Sequence, residues 1–341
     1  MILTTPKIKI RQEAGINWTT VNNTGRVWWA LCVTSTGRII ASSSYASHSD
    51  YGNNNDNGIW YSDDNGISWI RSNETANNWS SFCITSTGRI IASSGHDSNN
   101  GIWYSDNNGV NWVQSNKTSG KWNTLCITPT GRIIAGNSTD GIWYSDDNGI
   151  NWVQSNLTNG GWYSFCVTST GRVVAGSDTD GVWLSDNNGI DWEWSDETNG
   201  CWRTLCVTST GRIIAGIDDA GIMYSDDNGV TWTQSNKTDE DWTALCVTPT
   251  GRIIAGSHGS GIWYSDDNGV NWTQTSESTG NYTSFCITPI RRVVAGSGNR
   301  SIKYSDPVTE VQNYSSLLIT GAQARELVQQ CKAYVQGLKN S

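Results

Sequence analysis

Proline, methionine, histidine and phenylalanine are scarce in this chain, and long apolar runs are absent. Its 341 residues include 5 Pro, 2 Met, 3 His and 3 Phe. Without a run of 18 apolar residues, the sequence predicts no membrane-spanning helix. Acidic residues outnumber basic ones by 31 to 22, and the net charge of −9 argues against a nucleic-acid partner, since phosphates require a basic surface.

The N-terminal stretch MILTTPKIKIRQ lacks the apolar segment of a secretory signal. We therefore expect synthesis in a cytoplasmic or other reducing compartment, with a virion or cell surface as the alternative location.

What the chain has in abundance is repetition. GIWYSDDNGINW occupies residues 141–152, and near-copies begin at Gly58, Gly101, Gly181, Gly221 and Gly261. The serines of successive copies are 43 residues apart once and 40 residues apart thereafter. A period near 40 residues with strand-like composition is typical of β-propellers.

One unit, residues 162–195, divides into four segments with the composition of strands. Val, Ile, Thr, Phe and Trp dominate these segments, and Gly or Asn clusters separate them. We predict strands over 162–168, 172–176, 182–185 and 190–194. Four short antiparallel strands cannot bury both faces alone, so the units must stack around a ring. The first strand recurs seven times, which predicts an all-β, seven-bladed propeller of four-stranded antiparallel blades.

The outer strand of the seventh blade is missing from its expected place. Residues 301–305 lack the following Gly and Trp, whereas residues 14–19, AGINWT, match that half of the unit. We predict that residues 14–20 supply this strand and close the ring, because closure leaves no open edge. The alternative forms the strand from residues 308–314, where no Gly or Trp falls in register.

Seven of the nine cysteines occupy one position of the unit. They are Cys32, Cys83, Cys126, Cys166, Cys206, Cys246 and Cys286. Stacked units place equivalent positions roughly 10 Å apart, beyond the roughly 7 Å over which two Cα atoms can be bridged. We therefore predict small buried side chains rather than disulfides. Cys201 and Cys331 lie outside the pattern and are the candidates for exposed or paired thiols.

The repeated corner has the pattern S-x-D-x-G-x-x-W, which resembles the Asp-box (BNR-repeat) β-propeller family, with a sialidase-like fold. The clearest copies are Ser62, Asp64, Gly66, Trp69; Ser145, Asp147, Gly149, Trp152; Ser225, Asp227, Gly229, Trp232; and Ser265, Asp267, Gly269, Trp272. The family includes sialidases, other glycoside hydrolases, sortilin-type receptors and photosystem assembly factors, so the resemblance implies a fold and no single function.

The corner itself is predicted to be structural. An Asp or Asn side chain accepts backbone N–H groups, Gly supplies a positive φ, and Trp covers the turn. Asn107 and Asn187 replace the Asp in two copies. An amide makes the same turn but cannot act as a general base.

The loops of one face vary between units, and a rigid scaffold usually carries its binding residues on such loops. We select as candidate ligand-binding residues the aromatic that begins each first strand, together with two residues of the loop 43–57. They are Trp28, Trp79, Trp122, Trp162, Trp202, Trp242, Tyr282, His48 and Tyr51. The aromatics could instead fill wedges between blades.

The opposite face is nearly constant and carries the arginine of each TGR turn. These arginines either bind an anion or, as we favour, pair with the Asp-box carboxylates. The histidines His48, His96 and His258 lack ligand spacing, so we predict no metal site and no cofactor.

An enzyme is disfavoured. The resemblance to sialidases implies an arginine cluster, a Tyr–Glu pair and an Asp acid from non-equivalent blades, and here most arginines belong to the repeat. The non-equivalent carboxylates are Asp50, Asp56, Asp97, Glu197, Asp239, Glu240 and Asp241, which are expected to be solvated.

Residues 1–306 are thus expected to form the propeller, and residues 307–341 a linker and a C-terminal amphipathic helix. We expect a non-enzymatic module that binds a glycan or protein partner through the variable face. The alternatives are an assembly scaffold, of a virion or phage surface for example, that docks or self-associates through residues 317–338, and a glycoside hydrolase.

Overall fold

The computed structural model of the protein describes residues 11–12, 14–21, 26–44, 57–73, 78–95, 100–195, 200–299, 301–306 and 309–310. The chain divides into two compact units, one of residues 13–308 and one drawn from residues 1–12 and 309–341. In the second unit the described residues form one antiparallel pair, in which Arg11 lies opposite Glu310 and Gln12 opposite Thr309.

The described residues form short strands and no helix. Before the first blade come β1 (Arg11–Gln12) and β2 (Trp18–Thr20). Blades 1 to 3 contain β3 (Val27–Val33), β4 (Ile39–Ser44), β5 (Gly58–Ser62), β6 (Ile70–Arg71), β7 (Trp79–Ile84), β8 (Ile90–Ser94), β9 (Ile102–Ser105), β10 (Val113–Gln114), β11 (Trp122–Ile127), β12 (Ile133–Asn137), β13 (Ile142–Ser145) and β14 (Val153–Gln154).

The later blades follow the same order. They contain β15 (Trp162–Val167), β16 (Val173–Ser177), β17 (Val182–Ser185), β18 (Glu193–Trp194), β19 (Trp202–Val207), β20 (Ile213–Ile217), β21 (Gly221–Ser225), β22 (Thr233–Gln234), β23 (Trp242–Val247), β24 (Ile253–Gly259), β25 (Ile262–Ser265), β26 (Thr273–Gln274), β27 (Gly280–Ile287), β28 (Val293–Ser297) and β29 (Ile302–Ser305); β30 (Thr309–Glu310) belongs to the second unit.

Antiparallel pairing of consecutive strands gives the predicted four-stranded blades. In blade 3, for example, β11, β12, β13 and β14 pair in that order. Six such blades follow one another, and β27, β28 and β29 begin the seventh. The end of β24 also pairs with the start of β27, through His258 opposite Asn281 and Gly259 opposite Gly280, which joins the sheets of blades 6 and 7. The prediction of a seven-bladed all-β propeller is confirmed, while the predicted C-terminal helix lies outside the described residues.

The N-terminal strand closes the ring as predicted. In β2, Trp18 lies opposite Ser305 and Thr20 opposite Lys303 of β29, which completes the seventh blade. Blade 7 then packs against blade 1, where the hydroxyl of Thr283 donates to the carbonyl of Trp28. The alternative use of residues 308–314 for this strand is wrong, because the edge of β29 is taken by β2.

The hydrophobic core lies between blades rather than within them. In each blade the first five residues of the second strand are buried; Ile133, Ile134 and Ala135 of β12 are 0% exposed. Each buried cluster combines two blades, as when Ile134 packs with Trp162 and Val173 of the next blade. A blade therefore has no complete core of its own, and the ring is the smallest unit that buries every apolar face.

The fourth strand of each blade is shorter than predicted. In blade 4 the sequence predicts a strand over 190–194, whereas β18 contains only Glu193 and Trp194. The preceding residues belong to the corner, since the N–H of Asp191 bonds to the side chain of Asn187 rather than to a neighbouring strand.

Candidate functional site

Each Asp-box corner is built around one side-chain oxygen. In blade 1, Oδ1 of Asp64 accepts the backbone N–H groups of Ile67 and Ser68 at 3.1 and 2.8 Å. It also accepts the hydroxyl of Ser62 at 2.8 Å, and Ser62 Oγ accepts the N–H of Gly66 at 2.9 Å. Burial would raise the pKa of Asp64, but these hydrogen bonds to the ionised form outweigh it and the pKa is lowered.

Asparagine makes the same corner in blades 2 and 4. Asn107 Oδ1 accepts the N–H of Asn111 at 2.8 Å, and Asn187 Oδ1 accepts the N–H of Asp191 at 2.9 Å. What the position supplies in blades 1 to 6 is therefore an acceptor for a turn, and a charge is not required.

The arginines of the TGR turns are paired on the constant face. Arg38 donates from Nε and Nη2 to both oxygens of Asp63, at 2.7 and 2.8 Å, and its Cζ lies 4.1 Å from the ring centroid of Tyr61. Its Nη1 also donates to the carbonyl of Asn108 in the next blade at 3.1 Å. The same bidentate pairing recurs at Arg89, Arg132, Arg172, Arg212 and Arg252. These arginines hold the corners together. Of the two predicted roles, pairing with carboxylates fits the structure and anion binding does not.

The aromatic residues selected as ligand-binding candidates lie in the interior. Trp28, Trp79, Trp122, Trp162, Trp202, Trp242 and Tyr282 are 0 or 1% exposed. Trp28 belongs to one buried cluster with Ile39 of its own blade and Ile302 of blade 7, and its ring centroid lies 5.0 Å from that of Trp69. A ligand arriving from solvent has no access to rings at this depth. The predicted ligand-binding role does not fit the structure, whereas the filling of wedges between blades does.

The residue after each of these aromatics is the one that meets solvent. A β-bulge interrupts the first strand of every blade at this point, and a bulge re-aims one side chain. The bulge ring consists of Trp29, Ser80, Asn123, Tyr163, Arg203, Thr243 and Thr283, and all of them line one cavity of about 760 Å³. One residue from every blade reaches this cavity, so it is the central cavity of the propeller.

Four members of the bulge ring tie neighbouring blades together. Each donates a side-chain hydrogen bond to the carbonyl of the buried aromatic in the next blade. The bonds run from Ser80 to Trp122, from Asn123 to Trp162, from Thr243 to Tyr282 and from Thr283 to Trp28. In blade 4, Ser164 donates the equivalent bond to Trp202 from one position later, which releases Tyr163.

The three large members of the bulge ring depart from this pattern. Arg203 donates from Nε to Oδ2 of Asp218 at 2.6 Å, and its Cζ lies 4.6 Å from the ring centroid of Tyr163. Trp29 and the side chain of Arg203 are each 36% exposed, so solvent reaches both. In a ring of seven, blade 1 lies across from blades 4 and 5. An indole thus stands on one side of the cavity and a stacked Tyr–Arg pair on the other.

The remaining lining carries both signs of charge. Lys121, Asp241 and His258 contribute to the wall. Beside Arg203, the free thiol of Cys201 has a pKa raised to about 12, because burial outweighs the opposing effect of the guanidinium. Cys201 is therefore a neutral thiol at physiological pH and not an activated nucleophile.

The seven patterned cysteines are also free and at least half-buried. Burial raises the pKa of Cys32 and of Cys206 to about 12. Cys331 lies outside the described residues.

Several residues selected from the sequence cannot be placed. The following lie outside the described residues: His48, Tyr51, His96, Asp50, Asp56, Asp97, Glu197 and the segment 317–338. Within the described ranges, no three His, Cys, Asp or Glu side chains are grouped so that they could hold a metal ion. The same ranges hold no helix of the length and apolarity needed to cross a membrane.

The repeat can now be compared with known families. Residues 143–154 and 223–234 match the family model "BNR/Asp-box repeat". The chain is a β-propeller that carries Asp-box repeats. No curated protein matches its sequence.

Solved structures agree with this fold. YCF48 from Cyanidioschyzon merolae is 14% identical to this Asp-box propeller, with 84% of this chain and 98% of that chain covered and a TM-score of 0.64. A structure of YCF48 bound to D1 peptide is 16% identical, with 90% and 100% covered and a TM-score of 0.65. Virginiamycin B lyase from Staphylococcus aureus is 11% identical, with 86% and 99% covered and a TM-score of 0.68. At these identities the likeness shows the fold alone.

The residues predicted from the sequence lie in the right strand, but the residues that reach the central cavity lie one position later. The aromatics are nearly invariant between units, which is the mark of a packing position. The next residue runs through Trp, Ser, Asn, Tyr, Arg, Thr and Thr in a chain that otherwise repeats itself. That variability was the available signal, but only the bulge explains why the side chain leaves the sheet.

Proposed function

We propose that this Asp-box propeller is a non-enzymatic binding module that holds a peptide segment of a protein partner in its central cavity. The observation that carries the proposal is the bulge ring. Four of its members bond to the next blade, whereas Trp29, Tyr163 and Arg203 present large side chains to the cavity. Trp, Tyr and Arg are the residue types most enriched at the energetic centres of protein interfaces.

The cavity has the size and chemistry for this role. Its volume of about 760 Å³ lies within the roughly 300–1,000 Å³ typical of specific sites. Arg203 uses Nε for Asp218, and among the described residues no hydrogen bond engages its terminal nitrogens. These donors are available to a peptide carbonyl or carboxylate, while Trp29 and Tyr163 offer apolar area. The fold neighbour YCF48, which binds a D1 peptide, gives the class of partner a precedent on the same architecture.

Binding without catalysis fits the same residues. Of the non-equivalent carboxylates, the side chain of Asp239 is 71% exposed. Asp241 lines the open cavity, where its Oδ1 accepts the N–H of Asp219 at 3.1 Å. Neither has the dry environment of a general acid. The prediction that all these carboxylates are solvated is wrong for Glu240, since burial raises its pKa, but Glu240 does not line the central cavity. The scaffold role of residues 317–338 stays a prediction.

The test is a selection of linear peptides on the full-length protein. Binding of selected peptides is then measured for wild type and for the triple variant Trp29→Ser, Tyr163→Ser, Arg203→Thr. Each substitution installs a residue type that other blades carry at this position, so the variant should fold. We expect the triple variant to bind at least about tenfold more weakly.

Arg212→Thr is the matched control. Arg212 is also bonded to a carboxylate, Asp226, and stacked on a tyrosine, Tyr224, but it lies on the constant face. It should bind peptides as wild type does. Equal binding by wild type and the triple variant, or no selected peptide at all, contradicts the proposal. A glycan array probed in parallel would assign the cavity to glycans if binding is saturable and lost in the triple variant.

A further inference from the structure

The outer edge of blade 4 departs from the repeat at one residue, Trp194. At this position other blades carry a polar side chain that donates to a backbone carbonyl of a neighbouring loop or strand. The residues are Arg71, Gln114, Gln154, Gln234 and Gln274. Gln154, for example, donates to the carbonyl of Asp140 at 2.7 Å. Blade 4 lacks this tie and instead leaves an indole 50% exposed.

Trp194 stands beside a second tryptophan. It pairs directly with Trp183 on the adjacent strand, so the two side chains project from the same face of the sheet. The indole N–H of Trp183 donates to the carbonyl of Asp180 at 3.1 Å, which fixes the orientation of that ring. Together with Asn159 and Thr179 these residues line an open groove of about 580 Å³.

The polar side chains of this groove are available for a ligand. Within the described residues, the carboxylate of Asp180 and the amide of Asn159 make no hydrogen bond, and the backbone groups of both residues are used instead. A carboxylate accepts two hydroxyl groups and an amide both donates and accepts. The lining contains no basic side chain, so the groove offers an anion no compensating charge.

This combination matches the two sides of a pyranose. Sugar C–H groups carry slight positive charge and pack on the electron-rich face of an indole, while the hydroxyl groups at the ring edge need donors and acceptors. We propose that the groove of Trp183, Trp194, Asp180 and Asn159 is a binding site for a neutral saccharide. Quaternary ammonium ligands need rings that enclose them, and here the two indoles lie side by side on one sheet face.

Blade 3 supplies a matched comparison inside the same molecule. Thr139, Asp140 and Trp143 repeat the lining of the blade 4 groove, but Gln154 replaces Trp194 and Ser119 replaces Asn159. At the five lining positions the two blades differ at two, and Gln154 makes a hydrogen bond where Trp194 leaves the groove open. Blade 3 also carries Lys117, whose Nζ lies 3.0 Å from the ring centroid of Trp143, where blade 4 carries Leu157.

The experiment titrates the full-length protein by calorimetry with neutral mono- to trisaccharides of glucose, galactose, mannose and N-acetylglucosamine. We expect saturable binding of at least one series at one site per chain. Trp194→Gln should weaken it at least about tenfold without lowering the melting temperature, because Gln restores the tie of the other blades. The blade 3 variant Lys117→Leu, Ser119→Asn, Gln154→Trp recreates the blade 4 groove and should gain a second site.

Three results would overturn the proposal: saturation by none of the saccharides, equal binding by Trp194→Gln, or binding of choline in their place. The test is independent of the central cavity. The triple variant of the bulge ring should keep saccharide binding, and Trp194→Gln should keep peptide binding.

Discussion

Arg252 donates from Nη1 to the backbone carbonyl of Ala14 at 3.2 Å, across 238 positions of the chain. In other blades the equivalent arginine makes this bond to the corner of the following blade, as Arg212 does to Asn268 at 3.1 Å. The N-terminal segment is thus held as the corner of blade 7. The hydroxyl of Ser276 supports the segment from the next loop by donating to the carbonyl of Ile16.

The closing segment predicts a specific sensitivity at Gly15. Its φ is +86°, and a Cβ there would lie 2.5 Å from Cδ1 of Ile254. Gly15→Ala should lower the free energy of unfolding by about 1–2 kcal/mol for the left-handed backbone and by about 1–3 kcal/mol more for overpacking. The measurement is denaturant unfolding.

Gly131→Ala is its control, because Gly131 has a φ of +87° and open space around the added Cβ. It should show the backbone cost alone. Equal losses in the two variants would mean that residues 14–20 are not packed against blade 6 in solution.

Much of this architecture could be predicted from the sequence. The period, the turn residues and the half-motif at residues 14–19 were enough for the blades and for their closure. The bounds of the fourth strand could not be derived, because a corner residue such as Asp191 bonds to the Asn187 side chain and not to a strand. Periodicity cannot distinguish these two partners.

The corner carboxylates predict how stability depends on pH. The pKa of Asp147 is lowered although burial opposes it, because Asn151, Ser145 and Ile150 donate to its ionised form. Its stabilising effect is present above the unfolded pKa, about 3.9, and is lost as the pH falls through the lower folded pKa. Asp147→Asn should therefore be less stable than wild type at pH 7, and this deficit should be smaller at pH 3, below the unfolded pKa.

Urea unfolding at both pH values checks this. Asp147→Asn recreates the corner of Asn107 and Asn111 in blade 2, so its cost at pH 7 should stay below about 1 kcal/mol, whereas Asp147→Ala should cost about 1–3 kcal/mol. A deficit of Asp147→Asn that grows in acid would show that the carboxylate does not act as described.

Blades 6 and 7 use different residue pairs at one contact, and this predicts that two substitutions in blade 7 compensate each other. Glu277 and Lys303 form an ion pair in blade 7, and their side chains are 19% and 17% exposed. At the equivalent positions of blade 6, the Lys237 Nζ lies 3.8 Å from the ring centroid of Trp263. Glu277→Lys should lower the free energy of unfolding by about 2–3 kcal/mol, because it places two ammonium groups in contact where both side chains are largely buried.

The double variant Glu277→Lys, Lys303→Trp should recover at least half of this loss, since it installs the blade 6 arrangement. Thermal unfolding of the two single variants and the double variant measures the coupling. If the stability losses of the two single variants simply add in the double variant, the prediction is wrong.

Glu240 occupies a position that favours glycine. Its φ is 72°, and Gly120, Gly160, Gly200 and Gly280 stand at this point in other loops, all with positive φ. Burial also raises the pKa of Glu240, and its Oε2 is buried without a hydrogen bond among the described residues. Glu240→Gly should raise the free energy of unfolding by about 1 kcal/mol.

Glu240→Ala separates the cost of the positive φ from the cost of the buried carboxylate, because it removes the carboxylate and keeps a Cβ at positive φ. Calorimetric melting of both variants decides between them. A lower melting temperature for Glu240→Gly would indicate that the contact with Lys237, 3.9 Å away, outweighs the backbone cost.

The proposed binding residues were harder to predict than the fold because they occupy positions that belong to the repeat in every blade. Trp29, Tyr163 and Arg203 replace Ser, Asn or Thr where a bulge turns the side chain outward. A bulge is a feature of strand pairing, which a single sequence does not display. Trp194 could not be selected for a different reason, since Trp is common in these strands. Its significance follows from the hydrogen bond that Gln154 donates to Asp140 in blade 3 and that Trp194 does not make in blade 4.

The closing strand also gives the chain an unusual modularity. Because the ring begins with the outer strand of blade 7 and ends with its third strand, a 40-residue period can be cut so that it starts with the outer strand of one blade and ends with the third strand of the next. Excision of one 40-residue period, residues 153–192 for example, would join Trp152 to Glu193 and leave every remaining blade with four strands. The same offset would admit an added unit. The number of blades is therefore set by the number of 40-residue periods, and the N-terminal strand closes the ring in the same way whatever that number is.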